Sequence, residues 1–136
     1  MASSFRDLRV WQDAMKLATD IYRSTADFPK SELYGLSQQM RRAAVSVPSN
    51  IAEGKGRGSD KGFVNFLFNP RGSLMELETQ IDIAQSLQYL NIADAEQLPG
   101  QATKVGKSLS GLINALSKRN SDQADDRRPK TEDQYV

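Results

Sequence analysis

The side chains of this chain best suited to chemistry are cations. Arg41 and Arg42 are adjacent, and Lys55 and Arg57 alternate with Gly54, Gly56 and Gly58 just before Ser59. A guanidinium presents a planar fork of donors that matches two phosphate oxygens. A glycine-rich turn entering a helix exposes backbone N–H groups that a phosphate can occupy. Residues 54–59 follow a helix rather than a strand, however, and carry neither the G-x-G-x-x-G nor the G-x-x-x-x-G-K-[ST] spacing. A flexible turn that ends a helix therefore competes with a phosphate cradle there.

Other chemistries lack essential parts. Glu53, Glu76 and Glu78 are carboxylates on helical segments, but di-metal centres in helical bundles pair Glu with Glu-x-x-His, and the sequence has no histidine. Without imidazole, the usual general base near neutral pH is missing. The absence of cysteine excludes disulfides, thiolate nucleophiles and Cys-ligated metal. A Ser/Lys nucleophile built from Ser46 or Ser49 with Lys16 has nothing to lower the lysine pKa and no oxyanion donor to serve it. The residues point to a non-enzymatic protein with no metal, no cofactor and no small-molecule substrate.

A chain of 136 residues holds one well-cored domain. Its 18 Lys and Arg nearly balance 17 Asp and Glu. Residues 1–119 hold 15 basic and 12 acidic side chains, a net of +3, whereas residues 120–136 hold 3 and 5, a net of −2. The N-terminal residues are charged where a signal peptide needs an apolar stretch, and no run approaches the roughly 18 apolar residues of a membrane span. A cytoplasmic protein with no membrane partner is expected.

Hydrophobic periodicity predicts four helices, over about 5–27, 32–54, 59–90 and 94–118, and no strands. In the first, Leu8, Trp11, Met15, Ala18 and Tyr22 form a stripe at heptad-like spacing, which assigns Trp11 and Tyr22 to packing; Tyr89 is assigned likewise. Leu33, Leu36, Met40, Ala43, Val47 and Ile51 form the stripe of the second. Pro48 should kink that helix, and Gly54 with Gly56 and Gly58 should stop it. Ser59 caps the third helix, whose main stripe is Phe63, Phe66, Leu67, Leu74, Leu77, Ile81, Ala84 and Leu87. Pro70 should kink or break it. Val64, Phe68, Met75 and Ile83 make a second apolar line, either a broad core face or a self-association surface. The fourth helix directs Ala102, Val105, Leu109, Leu112 and Leu116 inward. Residues 120–136 form a disordered, acidic-leaning tail. The fold class is all-α, an antiparallel up-down-up-down four-helix bundle.

Folding these helices back about turns near residues 29 and 57 sets Arg42 level with roughly Lys16 and Arg71, to within about one helical turn. A phosphate-binding band would result. Charges that are solvated, or paired with Asp13, Asp20 and Glu76, are the competing reading.

The sequence resembles the bacterial four-helix-bundle proteins described from open reading frames in 23S rRNA intervening sequences, and the related accessory proteins of diversity-generating retroelements. The resemblance is carried by Phe28-Pro29, Tyr34-Gly35-Leu36, the uninterrupted block from Gln39 to Gly54, and the run from Gly72 to Gln80. It implies a ring-like homo-oligomer, typically a pentamer, whose retroelement relatives contact nucleic acid and a reverse transcriptase. Five copies of a +3 core would present about +15, enough for a basic surface formed on assembly. The expected function is binding of RNA or a nucleoprotein partner; the alternative is a structural or protein-interaction module with no nucleic-acid ligand.

Overall fold

The structure, a computed structural model, describes residues 4–127. Its helices are α1 (Arg9–Thr25), α2 (Leu36–Lys55), α3 (Asp60–Ser86) and α4 (Ile92–Arg127), with short 3-10 turns at Phe5–Asp7 and Lys30–Glu32. The described residues contain no strand, and the fold is an all-α four-helix bundle. α1 packs on α2 and α4, and α3 packs on α2 and α4. α1 and α3 therefore lie on one diagonal of the bundle.

The start and end signals act locally. Ser4 and Asp7 form a reciprocal capping box on the first 3-10 turn rather than on α1. Ser59 accepts from the Gly62 N–H at 3.0 Å and caps α3. Asn91 accepts from the Asp94 N–H at 2.8 Å at the head of α4. α3 closes with Gln88 at φ 62° while the Tyr89 N–H reaches back to the Ala84 carbonyl at 2.9 Å, a Schellman closure built without glycine.

The core is a single cluster drawn from all four helices. Leu17, Ile21, Met40, Ile51, Leu67, Leu77, Leu98 and Leu109 are among its fully buried side chains. The stripes expected for α2, α3 and α4 are largely the buried ones. Several expectations are corrected.

On α1 the buried stripe is Val10, Ala14, Leu17 and Ile21, with Ala18 at its edge. Met15 and Tyr22 are 40% and 46% exposed, and Trp11 is half-buried. The inner stripe lies one residue, about 100°, around the helix from the expected one.

Pro48 and Pro70 are both buried inside helices that continue through them, so Pro70 does not break α3. Burial of each ring offsets the lost N–H. α2 ends at Lys55 with Gly56 as its C-cap, so Gly54 lies in its last turn, where a Cβ would meet the Phe63 ring at 3.1 Å. The lack of a side chain at Gly54 lets α2 and α3 approach, and the backbone freedom is used instead at Gly58, with φ +82°.

Pro99 lies inside α4, which starts at Ile92 and continues to Arg127, so residues 120–127 are helical rather than disordered. The rest of the expected tail, residues 128–136, lies outside the described residues.

Candidate functional site

Among the described residues, two apolar faces stand uncovered by the bundle's own helices. The first is a groove of about 540 Å³ between α1 and α2, lined by Phe5, Trp11, Met15, Tyr22, Val45 and Pro48 among others. The α1 stripe expected in the core forms one wall of it. Phe5 packs edge-on against Trp11, with ring centroids 5.3 Å apart, and closes one end. At the other end, Arg41 stands over the Tyr22 ring, 4.9 Å from its centroid. Arg41 Nε also donates to Thr25 Oγ1 at 2.8 Å, and Thr25 Oγ1 in turn donates to the Ile21 carbonyl at 2.7 Å. This guanidinium therefore ties α2 to the C-terminal turn of α1.

The second face is the outer line on α3. Phe68 is 50% exposed and Met75 62%, with Val64 half-buried. Arg71 lies against Phe68, 6.0 Å from the ring centroid. Ile83 is also exposed, but lies about 100° around the helix from Val64, off the line of the other three. Arg71 and Met75 border the cleft between α3 and α4, with Glu78, Gly106 and Lys107. The α1/α2 groove and the α3/α4 flank occupy opposite sides of the bundle.

The six candidate cations do not converge within one chain. Lys16 pairs with Asp20 at 3.6 Å on the α1/α4 side, where Arg23 also holds Asp20 and Gln101 Nε2 donates to it at 2.7 Å. Partial burial pushes the Asp20 pKa up, but these hydrogen bonds and charges outweigh it and hold it below the usual carboxylate value. Asp13, another proposed partner, faces Lys104 of α4 at 3.7 Å. Arg42 is exposed and lines a polar cleft between α2 and α3 with Gln39, Ser46, Ser73 and Glu76. Ser46 and Ser73 hydroxyls bridge that cleft at 2.8 Å. Arg71 belongs to the α3/α4 side. Lys16, Arg42 and Arg71 thus open onto three different grooves.

At the glycine-rich turn, Arg57 folds back onto the Phe66 ring at 4.2 Å and approaches Glu53 at 3.7 Å. Lys55 borders a recess with Gly56, Gly58, Ser59, Asp60 and Arg119. The positive end of the α3 dipole is already matched there by Asp60. Arg119 of α4 grips both Asp60 oxygens, at 2.5 and 2.6 Å, and this fork is the main reason the Asp60 pKa is lowered. No group of carboxylates among the described residues is placed to hold a metal ion. No described helix is long and apolar enough to cross a membrane.

The groove was hidden from sequence reasoning because α1 carries two apolar stripes of similar strength. Residue type separates them. The inner one is aliphatic and small, whereas the outer one is Trp, Met and Tyr, whose amphipathic or adaptable side chains suit a partly wet surface.

A model of the 23S rRNA-intervening sequence protein family matches residues 6–111. The chain belongs to that family. Among solved structures, this 23S rRNA-intervening sequence protein is similar to a protein of unknown function from the S23 ribosomal protein family of Bacteroides thetaiotaomicron. The TM-score is 0.68 at 21% identity, over 76% of this chain and 97% of that one, a likeness of fold. No curated protein matches the chain.

Proposed function

We propose that this 23S rRNA-intervening sequence protein is a non-enzymatic interaction module that works as a homo-oligomer. The observation that carries the reading is the pair of apolar faces left open on opposite sides of a bundle whose core is otherwise complete. Contiguous apolar surface of this kind marks interaction sites, and aromatic and Met side chains are the types enriched at them. Light scattering on the purified chain tests it: a mass of several subunits is expected at micromolar concentration, and a single-subunit mass there removes the reading.

A second reading has the assembled protein hold RNA or a nucleoprotein such as a reverse transcriptase complex, as the retroelement resemblance implies. It is favoured by Arg42, Lys55 and Arg71, which make no ion pair among the described residues. Copies of these cations would gather only on assembly. Filter binding across a salt series separates the two readings. A steep fall in affinity with salt reports phosphate contacts, and a flat response leaves a protein partner. Arg41→Ala with Arg42→Ala should abolish RNA retention if the original pair carries it.

A further inference from the structure

We propose that the polar cleft between α2 and α3 binds a free amino acid, with Arg42 and a serine hydroxyl holding its carboxylate and Glu76 holding its ammonium group. The cleft shares no lining residue with either apolar face, so the inference does not depend on self-assembly.

The register of the two helices builds the site. Gly54 lies against Phe63 and Ser46 meets Ser73, so α2 and α3 run antiparallel with the two serines level. Arg42 stands four residues from Ser46, and Glu76 stands three residues from Ser73 toward the same end of the bundle. Those steps are about 6 and 4.5 Å along the two axes, which sets a cation and a carboxylate at one height on opposite walls. Neither forms an ion pair among the described residues. Both line one cleft of about 380 Å³, the size of a small-molecule site.

Hydrogen-bond accounting shows what each end offers. Ser46 Oγ and Ser73 Oγ lie 2.8 Å apart, and Asn50 Nδ2 donates to Ser46 Oγ at 2.8 Å. Two hydroxyls own two protons, and their mutual bond uses one. The other has no acceptor among the described residues, whichever serine donates in the bridge. One O–H therefore stands beside the Arg42 fork, a donor set matched to a carboxylate.

At the other end, Gln80 Nε2 donates to Glu76 Oε1 at 3.2 Å. Gln80 is only 4% exposed, and its own Oε1 is buried without a partner. An unpartnered buried oxygen is unfavourable. It is the cost of aiming the amide N–H at the carboxylate, and it holds Glu76 in place with Oε2 free to accept. The two signs together select the ligand. A phosphate or a simple carboxylate would suit Arg42 but be repelled by Glu76, and an amine would suit Glu76 but be repelled by Arg42. A zwitterion satisfies both, and the exposed Gln39 amide at the same end of the cleft is available to a polar side chain.

Thermal unfolding with each standard amino acid in turn, at about 20 mM or its solubility limit, tests the proposal. For a dissociation constant of about 1 mM, the matching amino acid should raise the melting temperature by about 5 °C, and the rise should saturate. Acetate, inorganic phosphate and methylammonium should give no comparable rise. Arg42→Ala and Glu76→Gln should each abolish it, whereas Glu78→Gln, on the same helix but outside the cleft, should keep it. Absence of a saturable rise with any amino acid overturns the proposal. A rise that survives either cleft substitution, or that acetate or phosphate reproduces, overturns it too, because it reports a solvent effect or a plain anion site. The readout is the same on a single subunit or an assembly, so light scattering decides the assembly reading separately.

Discussion

The two apolar stripes of α1 face different environments. Val10, Ala14, Leu17 and Ile21 are buried in the bundle, whereas Trp11, Met15 and Tyr22, about a third of a turn away, line an open groove. Similar apolar content thus does two jobs on one helix. The inner stripe is held by close packing on every side; the outer one has neighbours only from α2 and the Phe5 turn. Hydrophobicity alone does not tell a core face from a docking face, and completeness of packing does.

The sharpest way to break this contrast is truncation on each stripe. Leu17→Ala should destabilise the fold by about 3 kcal/mol, since it removes a buried side chain and leaves a cavity. Met15→Ala should change the stability of the single subunit by no more than about 0.5 kcal/mol, while lowering the mass of the assembly. Urea titration gives the first pair of values and light scattering the last. Equal losses of stability at both positions would place Met15 in the core.

Close approach is probed at Gly54, on the α2 face turned to α3. Gly54→Val should destabilise by about 2 kcal/mol through collision with Phe63. Gly111, exposed on α4 with nothing within 4 Å of a built Cβ, contrasts with it. Gly111→Ala should stabilise by up to about 1 kcal/mol through helix propensity. Thermal unfolding of the two variants reads both signs.

The smallest effect concerns the fork from Arg119 to Asp60. The folded-state pKa of Asp60 lies below its unfolded value, so the stabilisation is fully present above about pH 4 and is lost as pH falls through the folded value. Asp60→Asn should therefore melt below the wild type at pH 7, and the gap should close as the pH is lowered toward 2. A gap that persists unchanged at acid pH would show that the carboxylate charge contributes nothing.

Much of the fold was legible in the sequence. Met40, Val47 and Ile51 on α2, Phe63, Leu67 and Leu74 on α3, and Val105 and Leu109 on α4 follow helical spacing and are buried. The phase of α1 was not legible, because spacing fixes the angle between residues and not which of two stripes faces inward. Pro70 reads as a helix breaker from local chemistry, but burial of its ring in the core supports a continuous helix. The cations lie apart within one chain for a related reason. Height along the bundle follows from residue count, whereas the groove that a side chain enters depends on helix rotation, and Lys16, Arg42 and Arg71 differ in that. Val64, Phe68, Met75 and Ile83 read as either a broad core face or a self-association surface; Val64 packs against the core, and the other three are exposed.

The family match ends at residue 111, yet α4 does not finish its task there. Ile113 and Leu116 are buried beyond it, and Arg119 clasps the first turn of α3. A version trimmed at the boundary of sequence likeness would forfeit two interior anchors and the latch that joins the last helix to the third. The shared part of the sequence is thus shorter than the unit that must fold.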